Sequence, residues 1–340
     1  MNDPSLHPEI SLESRVAFLR QTSSYPEQCF RVEAIETHMS WVFLTEAHAW
    51  KLKKPVRYDY LDFSTLAARR YYCEEELRLN RRLAATIYLG VVPLGIDAAG
   101  HLRLGQGTAI DWLVKMQRLP MQHMLDYAIR HGRASPQDMV ALAARMSRFY
   151  ATCAPVALDA AAYCQRFQDD VERNRRELRT PAFQLALDQI DLVCQKQTDF
   201  LQCHAALLAQ RLAAGKIVEG HGDLRPEHIC LHPELVVIDC LEFSRDLRIV
   251  DAVDELGFLA LECERLGAPE LGRLLLGTYS EATGDWPAPA LLDFYQSFRA
   301  ALRARIAIRH LNEEKFRYSA EWRRRAMAYL DLAQQHLPTA

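Results

Sequence analysis

No apolar run in this 340-residue chain approaches the ~18–20 residues needed to cross a bilayer; stretches such as Val140–Ala144 and Leu271–Leu276 are far shorter. A dominant charge is also lacking. Lys and Arg number 41 against 44 Asp and Glu, giving a net charge of −3, so the basic footprint of a nucleic-acid binder is absent. Residues Met1–Glu13 hold neither a basic n-region nor an apolar h-region, so a cytoplasmic location is expected. The nine cysteines form no C-x-x-C pair and are irregularly spaced, which excludes a zinc-finger pattern and reads as reduced, packed thiols. There is no internal repeat, no Gly/Ser linker and no G-x-x-x-x-G-K-[ST] phosphate loop. What remains is 49% apolar and 25% charged, a globular composition long enough for two lobes.

The first third of the chain reads as β-rich. Trp41–Thr45 and Ala49–Lys53 alternate around a turn at Glu46–His48, and Pro55 closes the second strand. Ser64 is placed to cap a helix over 65–85, dense in Arg, Glu and Leu. Short apolar runs at 90–96, 102–104 and 110–119 complete a small sheet. Past Pro120 helical periodicity takes over, at 138–150, 160–178, 182–214 and from Val250 onward with a break at 284–289. The expected organisation is an N-terminal segment (1–29), a small N-lobe of sheet plus helix (30–119) and a helical C-lobe (120–340). The fold class is α+β and two-lobed.

The chemistry concentrates in His221-Gly-Asp-Leu-Arg-Pro-Glu-His-Ile229 and Leu235-Val-Val-Ile-Asp239. Asp223 follows a glycine on a loop, and Asp239 ends the next strand sixteen residues later. A hairpin between them would return both carboxylates to one place. Two such carboxylates suit phosphoryl transfer, one receiving a hydroxyl proton and the other holding Mg²⁺ against phosphates.

These segments resemble the catalytic loop (His-Gly-Asp-x-x-x-x-Asn) and metal motif of the aminoglycoside phosphotransferase-like kinases, a family with a protein-kinase-like fold. More narrowly, Lys51-Leu-Lys-Lys-Pro-Val56, Leu61-Asp-Phe-Ser-Thr65 and 73–83 resemble a bacterial subgroup, some of whose members carry an extra P-loop kinase domain. The resemblance implies an ATP-dependent phosphotransferase acting on a hydroxyl of a small metabolite, with ATP and Mg²⁺ (or Mn²⁺) as cofactors. It implies Asp223 as catalytic base and Asp239 as principal metal ligand. Lys51 would contact the α/β-phosphates, with Ala49 under the adenine. Lys53 shares its strand face, so one of the two lysines is expected to be merely solvated. A glutamate of Cys73-Glu-Glu-Glu-Leu-Arg-Leu79 would pair with the lysine, and Glu75 and Glu76 both fit. Lys115-Met-Gln-Arg-Leu-Pro120 resembles the adenine-binding linker, naming Met116 and Arg118. Asp251 and Asp254 resemble the aspartate that buttresses the catalytic loop, which His221 is expected to brace. Arg69, Arg70, Arg81 and Arg82 read as solvated helix faces.

The chain departs from the family pattern twice. His228 stands where the second metal ligand should be an asparagine, and Glu242 is a further oxygen donor within reach of the motif. No glycine lies between Arg31 and Val42, so Ser40 or the backbone of Thr37–Ser40 would hold the phosphates. The alternative reading is a nucleotide-binding pseudokinase. From Arg299 to Arg325 nine cations face three glutamates. Arg299, Arg303 and Arg305 lie in an otherwise apolar stretch, where a buried arginine needs an acidic partner or an anion. The expected acceptor is therefore neutral or anionic. Neither nucleic acid nor membrane is expected as a partner.

Overall fold

A computed structural model describes residues 10–58 and 61–338. The divisions 1–29, 30–119 and 120–340 each reach a few residues outside that description (1–9, 59–60 and 339–340). The chain falls into two compact units, residues 1–121 with 236–245, and residues 122–235 with 246–340. Together they are the small β-rich lobe and the large helical lobe of a protein-kinase-like fold.

The first unit opens with α1 (Leu12–Leu19), capped by Ser11. It continues through β1 (Glu33–Glu36), β2 (Ser40–Leu44), β3 (His48–Lys53), β4 (Arg57–Tyr58), β5 (Leu61–Asp62), α2 (Leu66–Ala84), β6 (Tyr88–Ile96), β7 (Leu102–Leu104) and β8 (Thr108–Gln117). Six strands form one antiparallel sheet in the order β1-β2-β3-β8-β6-β7. Strand side chains alternate between faces, so Trp50 and Leu52 of β3 enter a core with Phe43, Leu113, Val16 and Leu19. Lys51 and Lys53 take the opposite face, towards α2.

Thr65, one residue after the expected Ser64, caps α2 by accepting from the Ala68 amide. Ser64 instead donates its hydroxyl to Asp62. The buried stripe of α2 runs through Arg69, Cys73, Glu76, Leu79, Asn80 and Leu83. Arg69 is thus not on a solvated face. With Arg15 of α1 it pairs with the fully buried Asp111 of β8, at 2.7 and 2.5 Å. Arg81 donates to the Tyr88 and Leu89 carbonyls.

The second unit contains α3 (Leu125–Arg130), α4 (Pro136–Thr152), α5 (Ala160–Leu178), α6 (Leu187–Cys203), α7 (Ala205–Ala213), β9 (Ile217–Glu219) and β10 (Ile229–Cys230). After β11 (Val236–Val237), which belongs to the first unit, come β12 (Ile249–Asp251), α8 (Ala252–Arg265), α9 (Pro269–Thr283), α10 (Pro289–Arg309) and α11 (Ala320–Gln335). The helix expected over 182–214 is two helices. Pro181 opens a short 3-10 turn, Gln184 takes a left-handed φ of 54°, and His204 leaves the helical region. The break at 284–289 follows the expected logic, with left-handed Gly284 ending α9 and Pro289 starting α10. Helix α8 is buried through almost its whole length, packed by α9, α10 and α11.

Candidate active site

In the first unit β3, α2 and the 236–245 segment converge on five charged side chains. Lys51 Nζ lies 2.9 Å from Glu76 Oε1 and 2.8 Å from Asp239 Oδ1. Lys53 Nζ lies 2.6 Å from Glu76 Oε2 and also donates to Glu242. Burial alone would push both lysines down. The facing carboxylates outweigh it and hold Lys51 well above its ordinary value, and Lys53 above it too. Glu76 is fully buried; burial raises its pKa, but Lys51 and Lys53 bring it below the usual range.

The helix glutamate left open by the sequence is therefore Glu76, and Glu75 pairs with Arg78 at 2.7 Å instead. Neither lysine is solvated, and Lys53 is fully buried. Two cations face three carboxylates in this group, leaving a residual negative charge. Its accessible corner is Asp239, whose side chain is 45% exposed.

Asp239 has a φ of 59°, a left-handed conformation few residues other than glycine adopt and aspartate tolerates better than most. Its N–H donates to Tyr88 Oη at 3.1 Å, and the next amide, of Cys240, donates to Asn80 at 2.8 Å. Arg82 reaches the Cys240 sulfur at 3.3 Å. The segment around Asp239 is thus fastened to α2 by backbone and side chain. Strain held in place by such surroundings is a recurrent feature of functional sites.

The nucleotide-binding candidates lie nearby in the same sheet. Met116 pairs in register with Ala49 on one side and Tyr88 on the other, and is nearly buried. Arg118 donates from its backbone to Ala47 and from Nη1 to the Thr45 carbonyl at 2.7 Å, which ties it to the β2–β3 turn. The Ser40 N–H is taken by Thr37 Oγ1 at 3.0 Å, and the Thr37 hydroxyl and amide both return to the Ser40 carbonyl. That turn is closed without glycine.

In the second unit the antiparallel pair β9–β12 delivers the loop that carries Asp223. Gly222 has a φ of 90°, and a Cβ at Gly220 would lie 2.9 Å from Glu255 Oε2. The space is needed because Glu255 accepts the amides of His221 (2.9 Å) and Gly222 (2.6 Å) together with the Tyr150 hydroxyl (2.7 Å). The buttress of the loop is therefore Glu255, which the sequence reading missed. Asp251 instead pairs with Arg211 and caps α8, while Asp254 forms a buried fork with Arg299 at 2.8 and 2.5 Å. His221 is fully buried and braces the loop as expected, its Nδ1 lying 3.3 Å from the Asp223 amide.

Asp223 keeps a quarter of its side chain exposed. Burial would raise its pKa, but Arg225, His228, Arg303 and His221 outweigh it and hold it down at about 2. Arg225 Nε contacts Oδ2 at 3.0 Å, and Arg303 Nη1 stands 3.9 Å from Oδ1. His228 does not present itself as a metal ligand. Its Nδ1 lies 2.9 Å from the Asp223 carbonyl and its Nε2 3.0 Å from Arg225 Nη2, so both ring nitrogens are engaged. Nδ1 must carry the proton to bond a carbonyl, which leaves Nε2 as the acceptor of Arg225.

Among the described residues no three His, Cys, Asp or Glu side chains form a ready-made metal cage. A magnesium ion does not need one, because it keeps several waters and takes one or two carboxylates plus phosphate oxygens. Asp239, a hard oxygen donor at the exposed corner of a negatively charged group, suits that role.

No known family model matches the chain. Uncharacterised proteins of Mycobacterium bovis and Mycobacterium tuberculosis are 32% identical over 316 residues, covering 91% of this chain and 60% of theirs. The chain therefore spans about 60% of the length of the curated relatives it matches. Among solved structures it is similar to a choline/ethanolamine kinase family protein from Mesorhizobium loti (14% identity, 96% of each chain, TM-score 0.55). It is also similar to a microcompartment-associated aminopropanol kinase (15%, 95% and 97%, 0.52). A thermostable mutant of an aminoglycoside phosphotransferase matches as well (11%, 89% and 95%, 0.50). At these identities the likeness establishes the fold, the two-lobed protein-kinase-like fold of small-molecule kinases.

Proposed function

We propose that the protein is an ATP-dependent phosphotransferase acting on a hydroxyl of a small molecule. The observation that carries the proposal is the linked pair of contacts at Lys51, with Glu76 at 2.9 Å and Asp239 at 2.8 Å. A lysine fixed by a helix glutamate and set beside a solvent-reachable carboxylate suits a triphosphate and a metal. Lys51 would bind the phosphates, Glu76 orient Lys51, and Asp239 hold Mg²⁺. When bound, the metal neutralises charge that develops on the phosphoryl oxygens.

The loop of the second unit carries the residue proposed to meet the acceptor. Asp223 would accept a hydrogen bond from the acceptor hydroxyl and orient its oxygen. As that oxygen bonds to the γ-phosphorus, the bond to the ADP oxygen breaks and the hydroxyl proton passes to Asp223. A carboxylate with a pKa of about 2 is a weak base. That is compatible with a loose transition state, in which positioning outweighs proton abstraction. A regulatory module without turnover is the second reading. It draws on Arg225, whose 3.0 Å contact occupies one oxygen of Asp223, and on the occupied nitrogens of His228.

ADP release measured over a panel of hydroxylated metabolites, with wild type and Asp223→Asn, decides between them. Acceptor-dependent release that the variant loses supports the enzyme. Nucleotide binding without acceptor-dependent release from any member of the panel supports the module.

A further inference from the structure

The three arginines of α10 that the sequence placed in an apolar stretch meet different fates. Arg299 is satisfied by the Asp254 fork, and Arg305 reaches Glu177 at 3.5 Å and Asp170 at 3.9 Å. Arg303 makes no hydrogen bond within the described residues. Its side chain is only 15% exposed, its Nε is buried without a partner, and its one ion contact is the 3.9 Å approach to Asp223. The Tyr329 ring lies beneath it at 5.9 Å. Glu262 takes Arg265 and the Tyr329 hydroxyl, while Glu227 faces Arg265 at 3.5 Å through Oε1 and keeps a buried, unpartnered Oε2. Asp223 faces two guanidinium groups, Arg225 and Arg303, and only Arg225 is hydrogen-bonded to it.

A guanidinium presents five N–H donors in a planar fork matched to carboxylate and phosphate. Leaving the Nε–H of that fork buried without an acceptor is costly, and an anionic ligand would remove the cost. We infer that the acceptor is a hydroxylated anion, whose carboxylate or phosphate group binds Arg303 while its hydroxyl faces Asp223. The inference rests on the phosphotransferase reading, with Asp223 as the group that meets the hydroxyl. Since Arg303 Nη1 and Asp223 Oδ1 are 3.9 Å apart, the hydroxyl and the anion must be close neighbours in the acceptor. An amino alcohol would place its ammonium beside two guanidiniums, so the cationic acceptors named for the solved kinases of this fold are disfavoured.

The test is calorimetric titration of the full chain saturated with Mg²⁺ and ADP, using four probes: inorganic phosphate, glycerate, glycerol and ethanolamine. One anion should bind more tightly than glycerol or ethanolamine, and a preference for phosphate or for glycerate identifies the group. Arg303→Gln should weaken that anion at least about tenfold, as the loss of a charge-assisted fork implies. Arg303→Lys should fall between the two. Binding of neither anion, tighter binding of ethanolamine, or an unchanged anion affinity in Arg303→Gln overturns the inference. The comparison of probes on wild type stands even if a variant fails to fold. The initial Mg²⁺–ADP titration reports separately on the phosphotransferase reading, which fails if no nucleotide binds.

Discussion

Lys53→Met tests the charged group of the first unit where its energetics are starkest. Methionine keeps an unbranched side chain, replaces the δ-methylene by sulfur and removes the ammonium. The Lys53 side chain has no exposure and bridges Glu76, at 2.6 Å, to Glu242. Without it Glu76 retains Lys51, while Glu242 loses the ammonium that contacts it. Removing one partner of a buried ion pair typically costs about 3–5 kcal/mol, because the other charge stays desolvated. At about 2–4 °C per kcal/mol, the midpoint of thermal unfolding should fall by roughly 10 °C. Glu242→Gln in the same chain should recover much of that loss, giving a coupling energy of at least about 1 kcal/mol in a double-mutant cycle. Thermal unfolding of wild type, both single variants and the double variant supplies all four corners. A Lys53→Met midpoint within about 2 °C of wild type, or simple additivity in the double variant, would refute the claim that this lysine neutralises buried carboxylates.

Three further outcomes follow from the second unit. Glu255→Gln should slow turnover and cost on the order of 1–3 kcal/mol in unfolding free energy, since a carboxyl that accepts two loop amides is replaced; unchanged kinetics and stability would remove it as the buttress. Asp223 has a folded pKa of about 2, below its ordinary value, so its stabilising contribution is complete at neutral pH. That contribution should disappear as acid passes from the ordinary aspartate range down through about 2, and acid titrations of Asp223→Asn should lack this component. His228→Asn should leave the relative activities with Mg²⁺ and Mn²⁺ unchanged, because both imidazole nitrogens already have partners; a shift in metal preference would restore His228 to the metal shell.

The fold, and the placing of some candidate side chains on one face, were legible because they rest on local patterns. Period-two alternation put Lys51 and Lys53 on one face of β3, and the Gly284 and Pro289 signals marked a helix end and the next helix start. Glu76 could have been separated from Glu75. Only Glu76 is three residues from both Cys73 and Leu79 on the buried stripe of α2. What sequence could not display was long-range charge pairing. Lys53 and Arg69 read as solvated because their partners, Glu242 and Asp111, stand 189 and 42 residues away. Glu255 was hidden for the same reason: it serves backbone amides 33 and 34 residues upstream, and peptide N–H groups leave no trace in residue identity. At His228 motif and geometry differ, since its position in the motif suggests a ligand while its neighbour Arg225 lies 3.0 Å from the nitrogen a metal would use.

The central claim is that Lys51, Glu76 and Asp239 form a site for a metal-bound nucleoside triphosphate, and titration of ATP with and without Mg²⁺ into wild type and Asp239→Asn tests it most directly. Wild type should bind ATP at least about tenfold more tightly with Mg²⁺ than with a chelator, because bare phosphates meet the Asp239 carboxylate unscreened. Asp239→Asn should lose most of that difference. ATP binding that is indifferent to Mg²⁺ in wild type, or equally Mg²⁺-dependent in Asp239→Asn, would contradict the account.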